Sequence, residues 1–535
     1  MVSSLPSDYQ LYFGIKSQTL INLINMKKII KNHIKALLFV SVSLAFYSCA
    51  EFLDRNPTTE ISGPTFWKTQ NDADMALAGC YSRLNVNSFN YEGIYSLDIM
   101  AGDANEGGQS LGASSTGTFA MGIMESTSGG LLANIYNDCY RGIASCNYFL
   151  DNIDRVDMPP STVTRYKGEV RFLRALFYFN LADFYGGVPL YTSPVSAEEA
   201  KVKQSSYDQV IDQVITDLDF AIENLPNTDY STGGHAVKGT ALSLKSRVLL
   251  HQNDWSAAAA AAKQVMDDGQ FSLYQGKWGD MFISKGQNNN EEVIFSTRYL
   301  NPDNSSQQDI RILWHGIWNP RQELRNAFEC VDGLPISESP LYDADNWKEN
   351  RDPRLGQTMR NFLDPAVKES GEVVEFAYNG VSMTGLMPAK GGDIETLPID
   401  YSTKSDHDVI LIRFAEVLMN YAEATNEISG PTPEVYEAVN RVRMREGVNM
   451  PPLPSGLSKE EMRERIRNER RVEFAFEGMR YRDIKRWKTA EVYIPTLVEP
   501  SSQLNRSFDP NKHYLFPFPQ SEIDINPELV QNPGY

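Results

Sequence analysis

Glu469, Glu473 and Glu477 recur every four residues, so on a helix their carboxylates share one face. Two such acids are what a glycosidase needs, one to protonate the leaving oxygen and one to act as base or nucleophile. The same stretch carries Arg465, Arg470, Arg471 and Arg480. Basic residues at that density predict ion pairs within a packed helix, because paired buried charges are far commoner than catalytic ones. The structural reading is therefore preferred to the enzymatic one. With six His and no HExxH or CxxC spacing, no zinc site and no cofactor is expected.

Trp314 and Trp318, in RILWHGIWNP, point to capture instead of reaction. Sugar rings present flat C–H faces, and an indole is a rigid apolar surface on which they stack with little entropy loss. Indoles four apart are often core, but Arg311, Gly316 and Pro320 around them argue against a regular helix with a buried stripe. Ligand contact by at least one Trp is the expectation. The stretch 85–130 adds Asn90, Tyr91, Tyr95, Asp98, Asp103, Asn105, Glu106 and Gln109, which combine aromatic faces with groups that pair with hydroxyls; a solvated loop is the plain alternative. The ligand-binding set read this way is Trp314, Trp318, Tyr91, Tyr95, Asp98, Asn105, Gln109 and Arg311. Its acids leave a structural calcium open, although EF-hand spacing is missing.

The elements that must position these residues are mostly helical. Glu169 to Tyr185 carries an apolar stripe at Val170, Leu173, Phe177, Leu181 and Phe184, and Gly186, Gly187 and Pro189 end it. Helical periodicity returns over Tyr207–Leu225, Val237–His251, Trp255–Met266, Val409–Asn426, Val435–Arg445 and Leu457–Phe476. The last of these opens with Ser458 and Glu461 in capping-box positions. Short loops between such helices imply antiparallel hairpins, and Ala257, Ala261, Ala415 and Ala422 let them approach closely. The predicted fold is mostly α, a tetratricopeptide-like solenoid with long irregular, partly β insertions that carry the ligand face. Scaffold is expected around 49–84, 131–275 and 406–500, within one domain over 49–535, and binding insertions around 85–130 and 276–405.

Composition narrows the partners. The chain has 535 residues and a formal charge of −19, a surface that repels phosphate backbones, so nucleic acid is not expected. From Met26 a cluster of Lys27, Lys28, Lys31 and Lys35 precedes the apolar run Ala36 to Phe46, then Ser48 and Cys49. This pattern predicts a signal peptide over 26–48, with 1–25 as upstream sequence and Cys49 as a lipidation site. Without residues 1–48 the chain holds 45 basic against 68 acidic residues, a formal −23. Cys139 and Cys146 stand seven apart in a predicted helix, about 10 Å along its axis and too far for a disulfide. They, Cys80 and Cys330 are read as buried thiols.

Seven blocks carry a family resemblance: CAEFLDRNPTTE from Cys49, FWKTQNDADMALAGCYSRL from Phe66, EVRFLRALFYFNLADFYGGVPL from Glu169, NRDPRL from Asn350, IRFAEVLMNYAEATNE from Ile412, ERRVEFAFEGMRYRDIKRW from Glu469 and QNPGY at the end. In this order, behind a lipoprotein-like signal, they resemble the SusD/RagB family of outer-membrane lipoproteins of Bacteroidetes. The resemblance implies a non-catalytic lipoprotein on the outer leaflet that binds oligo- or polysaccharides and mates with a SusC-like TonB-dependent transporter. A peptide-binding lipoprotein of the same fold and a surface glycosidase acting through Glu473 are the alternatives.

Overall fold

The computed structural model describes residues 66–107, 116–230, 233–376 and 381–535, and 69–535 form one compact unit. Its longer helices are α1 (Gln70–Tyr81), α2 (Tyr91–Ala101), α3 (Leu131–Asn152), α4 (Pro160–Tyr185), α5 (Tyr207–Asn224), α6 (Lys238–His251), α7 (Trp255–Asp268), α8 (Phe414–Ser429), α9 (Pro433–Met444), α10 (Lys459–Glu473) and α11 (Met479–Arg486). Local chemistry sets their ends. Reciprocal capping boxes open α1 (Thr69 with Asp72), α5 (Ser206 with Gln209) and α10 (Ser458 with Glu461). Pro160 starts α4, where a missing N–H costs nothing, and Gly186 at φ +76° stops it.

Each helix from α3 to α9 packs on the next, which is the solenoid. Leu250 of α6, Ala258 of α7 and Ala424 of α8 form a cluster at no more than 1% exposure; a single methyl at two of the three positions lets the backbones close in. The succession runs from α7 straight onto α8 although residues 269–413 intervene in the chain. That excursion carries short strands in two-stranded antiparallel pairs: β1 (Ala104–Glu106) with β3 (Trp318–Pro320), β2 (Val293–Thr297) with β8 (Val409–Arg413), β4 (Met359–Asn361) with β7 (Leu386–Pro388), and β5 (Ala366–Val367) with β6 (Val373–Val374). The β2–β8 pair is its neck, and Thr240 of α6 donates its hydroxyl to the Ile294 carbonyl at 3.0 Å, fixing the neck to the solenoid. The protein is thus mostly α, with a tetratricopeptide-like solenoid and irregular, partly β insertions.

Three expectations need correction. The helix expected from Val409 begins only at Phe414, because the β-branched run VILIR pairs with β2. The stretch 85–130 contains α2: Asn90 caps it by accepting from the amides of Glu92 and Gly93, and Gly102 ends it at φ +80°. Finally, α10 stops at Glu473, and Phe476 sits at φ +60°, so Glu477 lies beyond the helix that would have stacked it with Glu469. Among the described residues no helix is long and apolar enough to cross a membrane, and the cysteines at 80, 139, 146 and 330 are free and buried.

Candidate functional site

The two tryptophans have different surroundings. Residues Ile310–His315 form a π-helical turn, a geometry that often marks functional sites because it re-aims side chains relative to an α-helix. On it Trp314 is half-buried and meets Tyr401 at 4.6 Å between ring centroids, at 65°. Tyr401 is 67% exposed, so this pair offers an aromatic surface to solvent. Beneath it His315 is buried and contacts both rings, at 5.2 Å from Trp314 and 6.0 Å from Tyr401. Burial and the neighbouring Arg311 push the His315 pKa down, so the imidazole is neutral. Arg311 itself reaches Glu92 of α2 at 3.2 Å and His315 Nδ1 at 3.4 Å. The pair is a place where a flat apolar ligand face can lie beside a partly exposed donor and acceptor.

Trp318, by contrast, is 2% exposed. It lies in β3 opposite Glu106 and meets Tyr95 and Tyr91 edge-on at 5.2 and 6.0 Å. Tyr91, Tyr95, Asp98 and Asn105 are buried as well, which corrects the sequence reading of these five as ligand contacts. Each has a structural partner instead. Tyr95 donates to the Lys390 carbonyl at 3.1 Å. Asp98 accepts the amides of Phe476 and Gly478 at 3.2 and 3.1 Å; burial and nearby Asp103 raise its pKa. Asn105 pairs with Asn319 across the β1–β3 ladder. They join α2 to the turn after α10 and to the excursion, and so hold the π-helical turn in place. Of the expected set, Trp314 and Arg311 share the π-helical turn and stay partly exposed, while Gln109 and the lipidation candidate Cys49 lie outside the described residues. Tyr401 and Glu92 were not singled out by sequence: one sits in a patternless loop, the other beside residues that look like loop.

The paired-carboxylate reading does not survive the geometry. Glu473 is fully buried and accepts from Arg354 at 2.7 Å, from Arg413 at 2.6 Å and from Arg445. Burial pushes its pKa up, but Arg445, Arg413 and Arg354 outweigh that and hold it well below the usual carboxylate range, so it has no proton to give. Glu469 is bound by Arg354 and Arg443 at 2.6 and 2.7 Å, and Glu477 by Arg413 at 2.7 Å and Lys390 at 2.5 Å. The ion pairs expected from sequence are there, with different partners. Arg465, Arg470 and Arg471 serve Glu329, Asp483 and Asp103 instead, and Arg480 lies over Trp487 and Tyr493.

Two further constellations lie within the excursion. Ser284 Oγ lies 2.7 Å from His407 Nδ1, and His407 Nε2 lies 3.0 Å from Asp309. Yet Nδ1 also receives the Ser284 amide at 3.0 Å, and the hydroxyl donates to Asp406. The ring nitrogen that would take the serine proton is already occupied, which does not suit acyl transfer. A cavity of about 430 Å³ lies between the segments around Asp280, Gln357, Lys368 and Asp393. It has no aromatic lining, and its Lys285 is paired with Asp280 at 2.8 Å and with Glu369. Among the described residues no cluster of His, Cys, Asp or Glu is arranged to hold a metal ion.

Comparison with known proteins agrees with this architecture. Residues 281–535 match the model of the SusD family, and residues 51–250 match a model described as starch-binding associating with outer membrane. SusD-like protein P2 of Formosa agariphila is 28% identical over 93% of this chain and 99% of its own. A crystal structure of a SusD-like protein from Bacteroides fragilis superposes with a TM-score of 0.75 at 27% identity, covering 90% of this chain and all of that one. A laminarin-binding SusD-like protein does so with a TM-score of 0.66 at 26% identity, over 88% of this chain and all of that one. With a matching solenoid, a matching excursion and two family models that between them cover most of its length, this chain belongs to the SusD/RagB family.

Proposed function

We propose that the protein captures a glycan at the outer-membrane surface, without acting on it chemically, and passes it to a SusC-like TonB-dependent transporter. The observation that carries this reading is the solvent-facing Trp314–Tyr401 pair on its π-helical turn, flanked by Arg311 and Glu92. Stacking on such a pair supplies affinity, and the flanking charges orient hydroxyls. The laminarin-binding relative and the starch-binding, outer-membrane description of the matching family model support it. A non-catalytic role is supported by the carboxylates Glu469, Glu473 and Glu477, each held by arginine. Anchoring through a lipid on Cys49, with the capture face toward the exterior, rests on the signal-like sequence before that residue.

The test is calorimetric titration of the purified protein with plant, host and microbial polysaccharides, repeated with Trp314→Ala and Tyr401→Ala. Binding of one glycan, weakened at least about tenfold by either substitution, is expected; loss of one stacked aromatic is of that order. Binding that neither substitution alters would move the site elsewhere. If no glycan bound and peptides did, the peptide reading would replace this one.

A further inference from the structure

The charges around the aromatic pair restrict what can sit on it. Arg311 and Glu92 meet across the gap between the excursion and α2, with side chains 32% and 33% exposed. Both stay partly open to a ligand, and neither charge is left uncompensated. His315, the other basic group in contact with the rings, is neutral and buried. The loop that bears Tyr401 adds an exposed Asp400 and an exposed Lys404, which offset each other, and the chain as a whole is acidic.

We infer that this face takes an uncharged glycan and turns away one bearing carboxylates or sulfates, with the Glu92–Arg311 pair as the determinant of that choice; the inference rests on the glycan reading above. A sugar hydroxyl both donates and accepts. A partly exposed ion pair therefore presents adjacent hydroxyls with guanidinium N–H groups and a carboxylate oxygen together, and neither ion need lose its partner. A uronate or sulfate needs the guanidinium for itself. It would have to displace Glu92, leave that carboxylate beside the bound anion, and approach against the field of an acidic protein.

The experiment compares a neutral polysaccharide that binds with its carboxymethylated derivative, titrated into the purified protein at about 50 mM and about 500 mM salt. The neutral polymer is expected to bind at least about tenfold more tightly at low salt, with the gap narrowing at high salt as the repulsion is screened. Glu92→Gln is expected to narrow the gap at low salt by about tenfold, because it releases Arg311 for the ligand's carboxylate. Arg311→Gln should weaken binding of the neutral polymer too. Equal binding of the two polymers by the unaltered protein overturns the inference and leaves the glycan reading standing. So does a ratio that Glu92→Gln does not change, with thermal denaturation showing the variant folded. Should no polymer of either kind bind, the glycan reading falls and this inference with it.

Discussion

Replacing Trp318 with Ala removes a ring that is 2% exposed and packed edge-on against two tyrosines. The expected cost is ~3–5 kcal/mol of folding stability, read by urea denaturation. Trp314→Ala removes a half-buried ring and should cost less than about 1 kcal/mol while abolishing stacking. By spacing and composition the two indoles are indistinguishable. What separates them is that β3 starts at Trp318 and pairs with β1, a contact between residues more than two hundred positions apart. Arg311 was legible because it stood beside the tryptophans. Glu92 and Tyr401 were not, since a short-range pattern carries no trace of which distant loop meets which helix end.

At the scale of elements, the solenoid helices were readable because each buries one stripe and exposes the rest. Helix α2 was missed for the complementary reason: eight of its eleven residues are buried, so it has no polar face to reveal the period. The arginine partners of α10 were hidden by distance, coming from positions 354, 413 and 445. Glu473→Gln would leave these three guanidinium groups short of a counter-charge in the interior, at an expected cost of ~3–5 kcal/mol, measurable as a fall in urea midpoint. A milder coupling links α1, α4 and the turn before α6. Glu169 accepts from Tyr81 at 2.8 Å and lies 2.7 Å from His235 Nδ1. That hydrogen bond raises the His235 pKa above its ordinary 6.5. The stability it adds is fully present below the ordinary value and is lost as pH rises through the raised one. The melting temperature should therefore fall between about pH 6 and about pH 9 by an increment that His235→Gln removes. With His235 about half exposed the increment is small, as solvent screens the pair.

For the molecule as a whole, the excursion between α7 and α8 is more than a decoration on the solenoid. It contributes Asp352, Arg354, Lys390 and Arg413 to the buried charges that Glu469 and Glu473 of α10, and Glu477 just beyond it, complete. If the excursion came loose, Glu469 and Glu473 would each lose an arginine while still enclosed, a penalty of several kcal/mol per ion. Calorimetry should accordingly show one transition for residues 69–535, not an early one for the excursion and a later one for the helices; two separated peaks would refute this. The outcome bears on how the chain fails. Because Arg354 and Arg413 of the excursion neutralise Glu469 and Glu473 of α10, a folded solenoid with a detached excursion is not a populated state. A chain that has lost the excursion has therefore lost the solenoid with it, and partial unfolding leaves no helical remnant behind.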